Sequence, residues 1–280
     1  MTERLGDIGA RIEGIRQLGA VVNAMRGIAA ARARQARDQI AAVDTYAASI
    51  AAAIGQALAL APTAKPGPSS KPGLVLFCAE QGFAGAFSER VLDAVRSDLA
   101  ASSLFLLGTR GASVAAQQGI EPGWLGAMPA HSPGVPKLAD QIAGAIYDRI
   151  ARGEIDGVEV VFSQWVPGHG TTIQRQRLLP FDAAQMPHSG GRAPLIQLSP
   201  EVLLRGLTAD FLHAQLCKAA LHAFAAENEA RMTAMASARS QIERRLSTLQ
   251  ARQRRVRQEE ITAEIIELAA GETAGRTSRR

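Results

Sequence analysis

At 280 residues, with 47% hydrophobic but only 4% aromatic side chains, the chain can bury a core of one or two domains, and its abundant alanine suits closely packed helices better than an all-β protein. No apolar run of about 18 residues is free of charge, and the start MTERLGDIGARIEG carries acids where a secretory signal has an apolar block, so no segment is expected to span a membrane or direct export. The formal net charge of +5 admits acidic partners without selecting one, and Cys78 and Cys217, alone in separate segments, make no disulfide framework and fit a reducing cytoplasm.

The first predicted element is a single long helix. Apolar residues fall at Ile8, Ile12, Ile15, Leu18, Val22, Met25 and Ala29, then at Ala33, Ala36, Ile40, Val43, Ala47, Ile50, Ile54 and Ala57. Their spacing averages about 3.5, the repeat of a supercoiled helix pair. No proline interrupts residues 1–61. Ala29, Ala33 and Ala36 stand where leucine is ordinary in such a seam, so a partner helix must approach closely there. Gly6, Gly9, Gly14, Gly19, Gly27 and Gly55 each cost a helix about 1 kcal/mol relative to alanine. A chain selected only for coiled-coil stability would not carry them.

A Pro/Gly/Ser-rich linker, 61–72, leads to alternating strands and helices. The expected order is a strand at Leu74–Ala79, a helix over about 86–101, a strand at Leu104–Leu107 and a helix over about 109–118. A weak strand near Trp124, a helix at Pro136–Arg152 and strands at Val158–Phe162 and Thr171–Leu179 follow, with the intervening VPGHG as a hairpin loop. This alternation means a mostly parallel, Rossmann-like sheet.

A second long helix starts at LSPEVLLRGL, with Ser199 as N-cap, Pro200 at the first helical position and Glu201 in the first turn. Leu212, Leu216, Ala219, Ala223, Ala226 and Ala230, then Ile242, Leu246, Leu249, Val256, Ile261, Ile265 and Leu268, continue a seam. Gly271 is the expected stop. The fold class is therefore α/β: a long antiparallel coiled coil of the N- and C-terminal helices (1–60 and 200–271) with an inserted Rossmann-like domain (73–199) and a disordered basic tail (272–280).

Between the first strand and its helix lies AEQGFAGAFS, a glycine turn of the kind that opens many nucleotide sites. The dinucleotide fingerprint needs three glycines and an acid about 20 residues on. Here only Gly82 and Gly85 are present, spaced G-x-x-G, with no P-loop lysine, and Asp93 and Asp98 are misplaced for the acid. The turn reads as structural, and Glu80 as a helix cap or surface carboxylate. No two of His131, His169, His188, His213 and His222 stand at i,i+4 to each other, and none joins a cysteine cluster, so no metal is expected. His213 and His222 read as solvated or partner-facing. No catalytic constellation emerges and no cofactor is expected.

Arg231, Arg239, Arg244, Arg245, Arg252, Arg254, Arg255 and Arg257 lie in one stretch interrupted by a single acid, Glu243. With Arg26, Arg32, Arg34 and Arg37 of the first helix they form a basic belt that implies an acidic surface around it. Nucleic acid is a possible partner, but no aromatic side chains interleave for stacking and no reader motif is present.

Taken together, the ends of the chain resemble the gamma subunit of F-type ATP synthases. AMRGIAAAR (24–32) resembles that family's A-M-K-M-V-A-A-S-K. ARMTAM (230–235) and RQEEITAEIIELAAG (257–271) resemble its A-R-M-x-A-M and R-Q-A-x-I-T-x-E-I-x-E-I-V-x-G. AEQGFAGAFS is similar to its S-D-R-G-L-C-G-G-L-N, with Gly82 and Gly85 identical and Glu80 keeping the acid. Ser240, Gln241 and Arg254 replace the usual Asp, Asn and Asn, which marks a divergent member. The resemblance implies a non-catalytic rotor shaft inside an alpha/beta hexamer, with Met25, Arg26, Arg32, Arg231, Arg257 and Gln258 at or near the coupling contacts. It further implies an α/β domain that binds the epsilon subunit and rests on the c-subunit ring, on the cytoplasmic side of a bacterial inner membrane. The coupling ion, proton or sodium, stays open. Two other readings are a basic coiled-coil protein that binds nucleic acid and a small nucleotide-dependent enzyme using the glycine turn.

Overall fold

The computed structural model describes residues 5–58, 60, 70–180, 186–187 and 195–277, the last eight as backbone alone. The elements in chain order are α1 (Leu5–Leu58), β1 (Pro72–Phe77), α2 (Phe87–Asp93), β2 (Ser103–Leu107) and α3 (Thr109–Gln117). Next come β3 (Trp124–Gly126), α4 (Val135–Ala151), β4 (Gly157–Val166), β5 (Gly170–Leu179) and α5 (Pro200–Thr277). The chain divides into two compact units, Ile28–Thr233 and Met1–Gly27 with Ala234–Arg280. Most of the linker (61–69) and the end of the tail (278–280) lie outside the described residues.

The larger unit is built on a five-stranded sheet ordered β3-β2-β1-β4-β5. β1 pairs in parallel with β2 and β4, and β2 with β3; only the β4–β5 hairpin is antiparallel, turning at Pro167–His169. The central strands are near-continuous apolar runs because both faces are covered. Alternate residues therefore feed two cores. Val75, Phe77, Phe105, Val160 and Phe162 face Leu138, Ile142 and Ile146 of α4 and Leu216, Ala220 and Phe224 of α5. Leu74, Leu76, Leu104 and Leu106 face Val91, Leu92 and Val95 after β1 and Val114 and Ala115 of α3.

Within this unit α1 and α5 run antiparallel. Arg37 pairs with Glu229, Lys218 Nζ lies 2.7 Å from Asp44 Oδ1, and Ile50 and Ile54 pack with Leu204 and Ala214. Ala29, Ala33 and Ala36 are buried at the expected close approach. In the smaller unit the pairing is also antiparallel: a Cβ on Gly19 would lie 3.4 Å from Ile242, and one on Gly9 would lie 3.9 Å from Gln253. A side chain at Gly19 would thus meet Ile242 at ordinary contact distance.

Four expectations are corrected. Leu18 is 53% exposed and not in the seam. The seam on α5 stops near Val256; Ile261, Ile265 and Leu268 are exposed, because α1 begins at Leu5 and leaves nothing opposite them among the described residues. α5 continues through Gly271 to Thr277. The helix expected over 86–101 ends at Asp93, followed by turns and a 3₁₀ segment at Leu99–Ala101. Asp98 there accepts from its neighbour Ser97 Oγ at 3.0 Å and, across the fold, from Arg175 of β5, which ties its carboxylate to the sheet.

One 18-residue stretch of α1 is apolar enough, by length and composition alone, for a membrane span. Alanine raises its hydropathy, and Ala47, Ile50, Ile54 and Ala57 of the same helix are buried against Leu204 and Ala214 of α5.

Candidate functional site

β1 delivers the chain into the glycine turn with its backbone still anchored: Cys78 N–H donates to Leu107 O at 2.9 Å, and Ala79 N–H to Ser88 Oγ at 3.1 Å. Glu80 then leaves the strand. Its carboxylate accepts from Thr109 N–H at 3.0 Å, Thr109 Oγ at 2.6 Å and Met128 N–H at 2.8 Å, so it caps α3 and pins the segment after β3. Beneath the turn, Ala84 and Phe87 are buried against Ala226 of α5.

Two amides at the start of the turn are already occupied. Glu227 of α5 is 3% exposed and accepts Glu80 N–H at 3.1 Å and Gln81 N–H at 3.2 Å. A phosphate-binding loop offers such strand-to-helix amides to its ligand. Here a carboxylate from the same chain takes them. Arg231, one turn on, is 5% exposed. Its Nε donates to Gly82 O at 3.1 Å, Nη2 to Gln81 O at 3.3 Å and Nη1 to Asn228 Oδ1 at 2.9 Å, and it also pairs with Glu227. Arg231, expected at or near the coupling contacts, is turned inward onto the loop. Arg32 reaches the same loop, Nη1 to Gln81 Oε1 at 3.3 Å.

The two glycines differ. Gly85 has φ +61° and needs its freedom, whereas a Cβ on Gly82 would meet nothing within 4 Å. Between them Phe83 holds φ 64° and is 68% exposed, a conformation disfavoured for an aromatic residue. An open concavity of about 430 Å³ lies beside the turn, lined by Gln81, Phe83, Gly85, Glu89 and Arg110.

Of the other expected contacts, Met25 and Arg26 are half-buried, with Arg26 Nη2 donating to Asn23 Oδ1 at 3.3 Å. Arg257 and Gln258 are exposed on α5. His213 and His222, expected to be solvated or partner-facing, are engaged within the larger unit. His222 stacks on Phe162 with centroids 5.7 Å apart. His213 Nδ1 lies 2.9 Å from Asp140 Oδ1 and its Nε2 3.4 Å from Cys217 Sγ. That thiol–imidazole–carboxylate chain does not make a nucleophile, because burial, reinforced by Asp140, pushes the thiol up to about 11. Burial likewise pushes Cys78 up to about 12, with Glu89 and Glu227 adding to it. Among the described residues no group of three His, Cys, Asp or Glu side chains is placed to hold a metal.

Sequence reading missed Glu227 and Asn228. The available signal was a polar ENEAR (227–231) with Glu and Arg at i,i+4, set directly after the alanine-rich stretch that packs on the sheet.

Comparisons with known proteins agree with this architecture. Residues 4–274 match a family model described as ATP synthase. The ATP synthase gamma chain of Chlorobium limicola is 30% identical, over 96% of this chain and 98% of its own length. That of Moorella thermoacetica is 26% identical over the same shares. In fold, the chain is similar to one in the mitochondrial ATP synthase OSCP/F1/c-ring of Euglena gracilis (TM-score 0.67, 12% identity, 99% of this chain and 96% of that one). A chain of the Tetrahymena thermophila mitochondrial ATP synthase central stalk/c-ring is also similar (TM-score 0.61, 15% identity, 78% and 99%). With nearly its whole length matched both by the family model and by a 30%-identical relative, the chain belongs to the ATP synthase gamma family, non-catalytic subunits of the central stalk.

Proposed function

We propose that this chain is the rotor shaft that couples ion-driven rotation of a c-subunit ring to ATP synthesis or hydrolysis in an alpha/beta hexamer. The observation that carries the reading is the uncovered end of α5. Ile261, Ile265 and Leu268 are 51%, 60% and 69% exposed and lie on one helical face. A face of that kind needs an apolar surround, and a ring of partner subunits supplies one without fixing its angle. The alanine- and glycine-rich α1 fits the same use, since large anchors would hold a turning shaft in one place. The assemblies named for its structural relatives, a central stalk with c-ring and an OSCP/F1/c-ring, support the choice of partners.

Met25, Arg26, Arg32, Arg257 and Gln258 form the proposed contact set with the alpha and beta subunits. Arg231 serves it indirectly, through the loop it holds. The proposed organisation keeps 1–60 and 200–271 as the shaft and 73–199 as the domain that docks the epsilon subunit and the ring, peripheral to the cytoplasmic face of a bacterial inner membrane.

The test is co-expression with candidate alpha and beta subunits. A hexamer that assembles and turns over with full rotary coupling when this chain is absent would sink the reading. Met25→Lys, which puts a charge at a close contact, is expected to lower ion transport per ATP hydrolysed more than it lowers assembly. An unchanged ratio counts against that contact.

A further inference from the structure

We propose that Glu227 and Arg231 are positioning residues that lock the 80–82 backbone to α5, so that the sheet domain turns with the helix instead of slipping along it. This rests on the rotor reading above. The lock is reciprocal in its chemistry. Glu227 accepts the two N–H groups of Glu80 and Gln81, while Arg231 donates to the two carbonyls of Gln81 and Gly82. Four backbone groups of three successive loop residues are thus satisfied by two side chains one helical turn apart. Asn228, between them, is 2% exposed; it takes Arg231 Nη1 on Oδ1 and anchors itself by donating Nδ2–H to Phe224 O at 2.8 Å.

An ion pair this deeply buried gains little net stability over apolar side chains of the same volume. Its presence after an otherwise apolar stretch of α5 points to geometry. The neighbouring apolar contacts of Ala84 and Phe87 with Ala226 have no directional preference and tolerate sliding. Charge-assisted hydrogen bonds do not. The lock also reaches beyond the loop, because Glu80, whose amide Glu227 holds, carries the start of α3 and the Met128 amide on its own carboxylate. One turn of α5 therefore registers the carboxyl-terminal edge of β1 and the elements beside it.

The first experiment is hydrogen exchange of the Glu80 and Gln81 amides in the full-length chain. Glu227→Gln keeps the shape and removes the charge, and Arg231→Lys keeps the charge and removes the fork. Each is expected to speed exchange at both amides by roughly tenfold or more, the loss of a charge-assisted bond. Unchanged exchange in both variants overturns the lock. The exchanged pair Glu227→Arg with Arg231→Glu preserves opposite charges but aims donors at amides and acceptors at carbonyls. It is expected to exchange as fast as the single variants, and restored protection means that ion pairing alone matters and overturns the backbone lock.

The second experiment measures ions moved per ATP hydrolysed in membrane vesicles carrying the assembled complex with each single variant. A lower ratio at unchanged subunit stoichiometry is expected. Faster amide exchange with an unchanged ratio overturns the torque role. A wild-type chain that does not enter the complex at all sinks the rotor reading and the torque role together, while the exchange result on the isolated chain still decides the lock.

Discussion

Glu80 caps a helix that begins 29 residues further along the chain: its carboxylate takes both the amide and the hydroxyl of Thr109. A third bond, from Met128 N–H, makes this side chain the tie between the end of β1, the start of α3 and the exit from β3. Glu80→Ala is expected to destabilise the chain by about 2 kcal/mol, with Glu80→Gln costing less because one acceptor oxygen remains. Denaturant unfolding checks this, and equal losses for the two variants would contradict the capping role.

Glycines near this site should separate by mechanism. A Cβ on Gly111 would collide with Cys78 Cβ and lie 3.2 Å from its Sγ. Gly111→Ala is therefore expected to cost about 2–3 kcal/mol, since two packed backbones must part. Gly85→Ala should cost about 1–2 kcal/mol from its φ of +61° alone, as there is open space around it. Gly82→Ala should fall within about 0.5 kcal/mol of the parent. Thermal or denaturant melts of the three variants rank them, and a Gly82 loss as large as that of Gly111 would contradict the geometry.

His222 gives the chain a pH-dependent stability. Burial, and then Lys218, hold its imidazole below the ordinary value of 6.5, with Asp44 opposing. The folded state thus binds the proton less readily than the unfolded one. Stability is complete above about pH 6.5 and is lost as pH falls through the folded value. His222→Phe, which keeps the stack on Phe162, should flatten that part of the stability–pH curve. A slope that persists in the variant assigns the effect elsewhere.

Cys217 should resist alkylation in the native chain. With its thiol pushed up to about 11, only about one molecule in a thousand carries the thiolate at pH 8. Mass-spectrometric labelling with iodoacetamide is expected to be slow until denaturant is added. Fast native labelling would mean that the His213 contact activates the thiol.

Much of this fold was legible because its signals are local. The apolar run Leu74–Phe77 and the steps of three and four through Ala29, Ala33 and Ala36 announce a buried strand and a close helix pair. The misreadings have tertiary causes. Leu18 matches the heptad yet faces outward, and the seam expected through Ile261 and Leu268 ends opposite the first described turn of the partner helix, not where the pattern does. Ser97 and Asp98 are acceptable in a helix until Arg175, on a distant strand, draws Asp98 into a turn. The candidate site was legible only on one side. AEQGFAGAFS stands out in the sequence, but the groups that determine its chemistry lie about 150 positions away on α5. Glu227 and Arg231 look like surface charges until the fold brings the loop over them.

Glu227 has one more consequence. In its proposed role this chain works amid catalytic subunits that bind and release nucleotide continuously, in a compartment rich in free phosphate. With the amides of Glu80 and Gln81 already held by the Glu227 carboxylate, those two donors are not offered to that pool. A rotor whose hub bound the metabolite would stiffen or loosen with the energy state of the cell. In the proposed role, two backbone donors of this loop answer to α5 and not to the energy state of the cell.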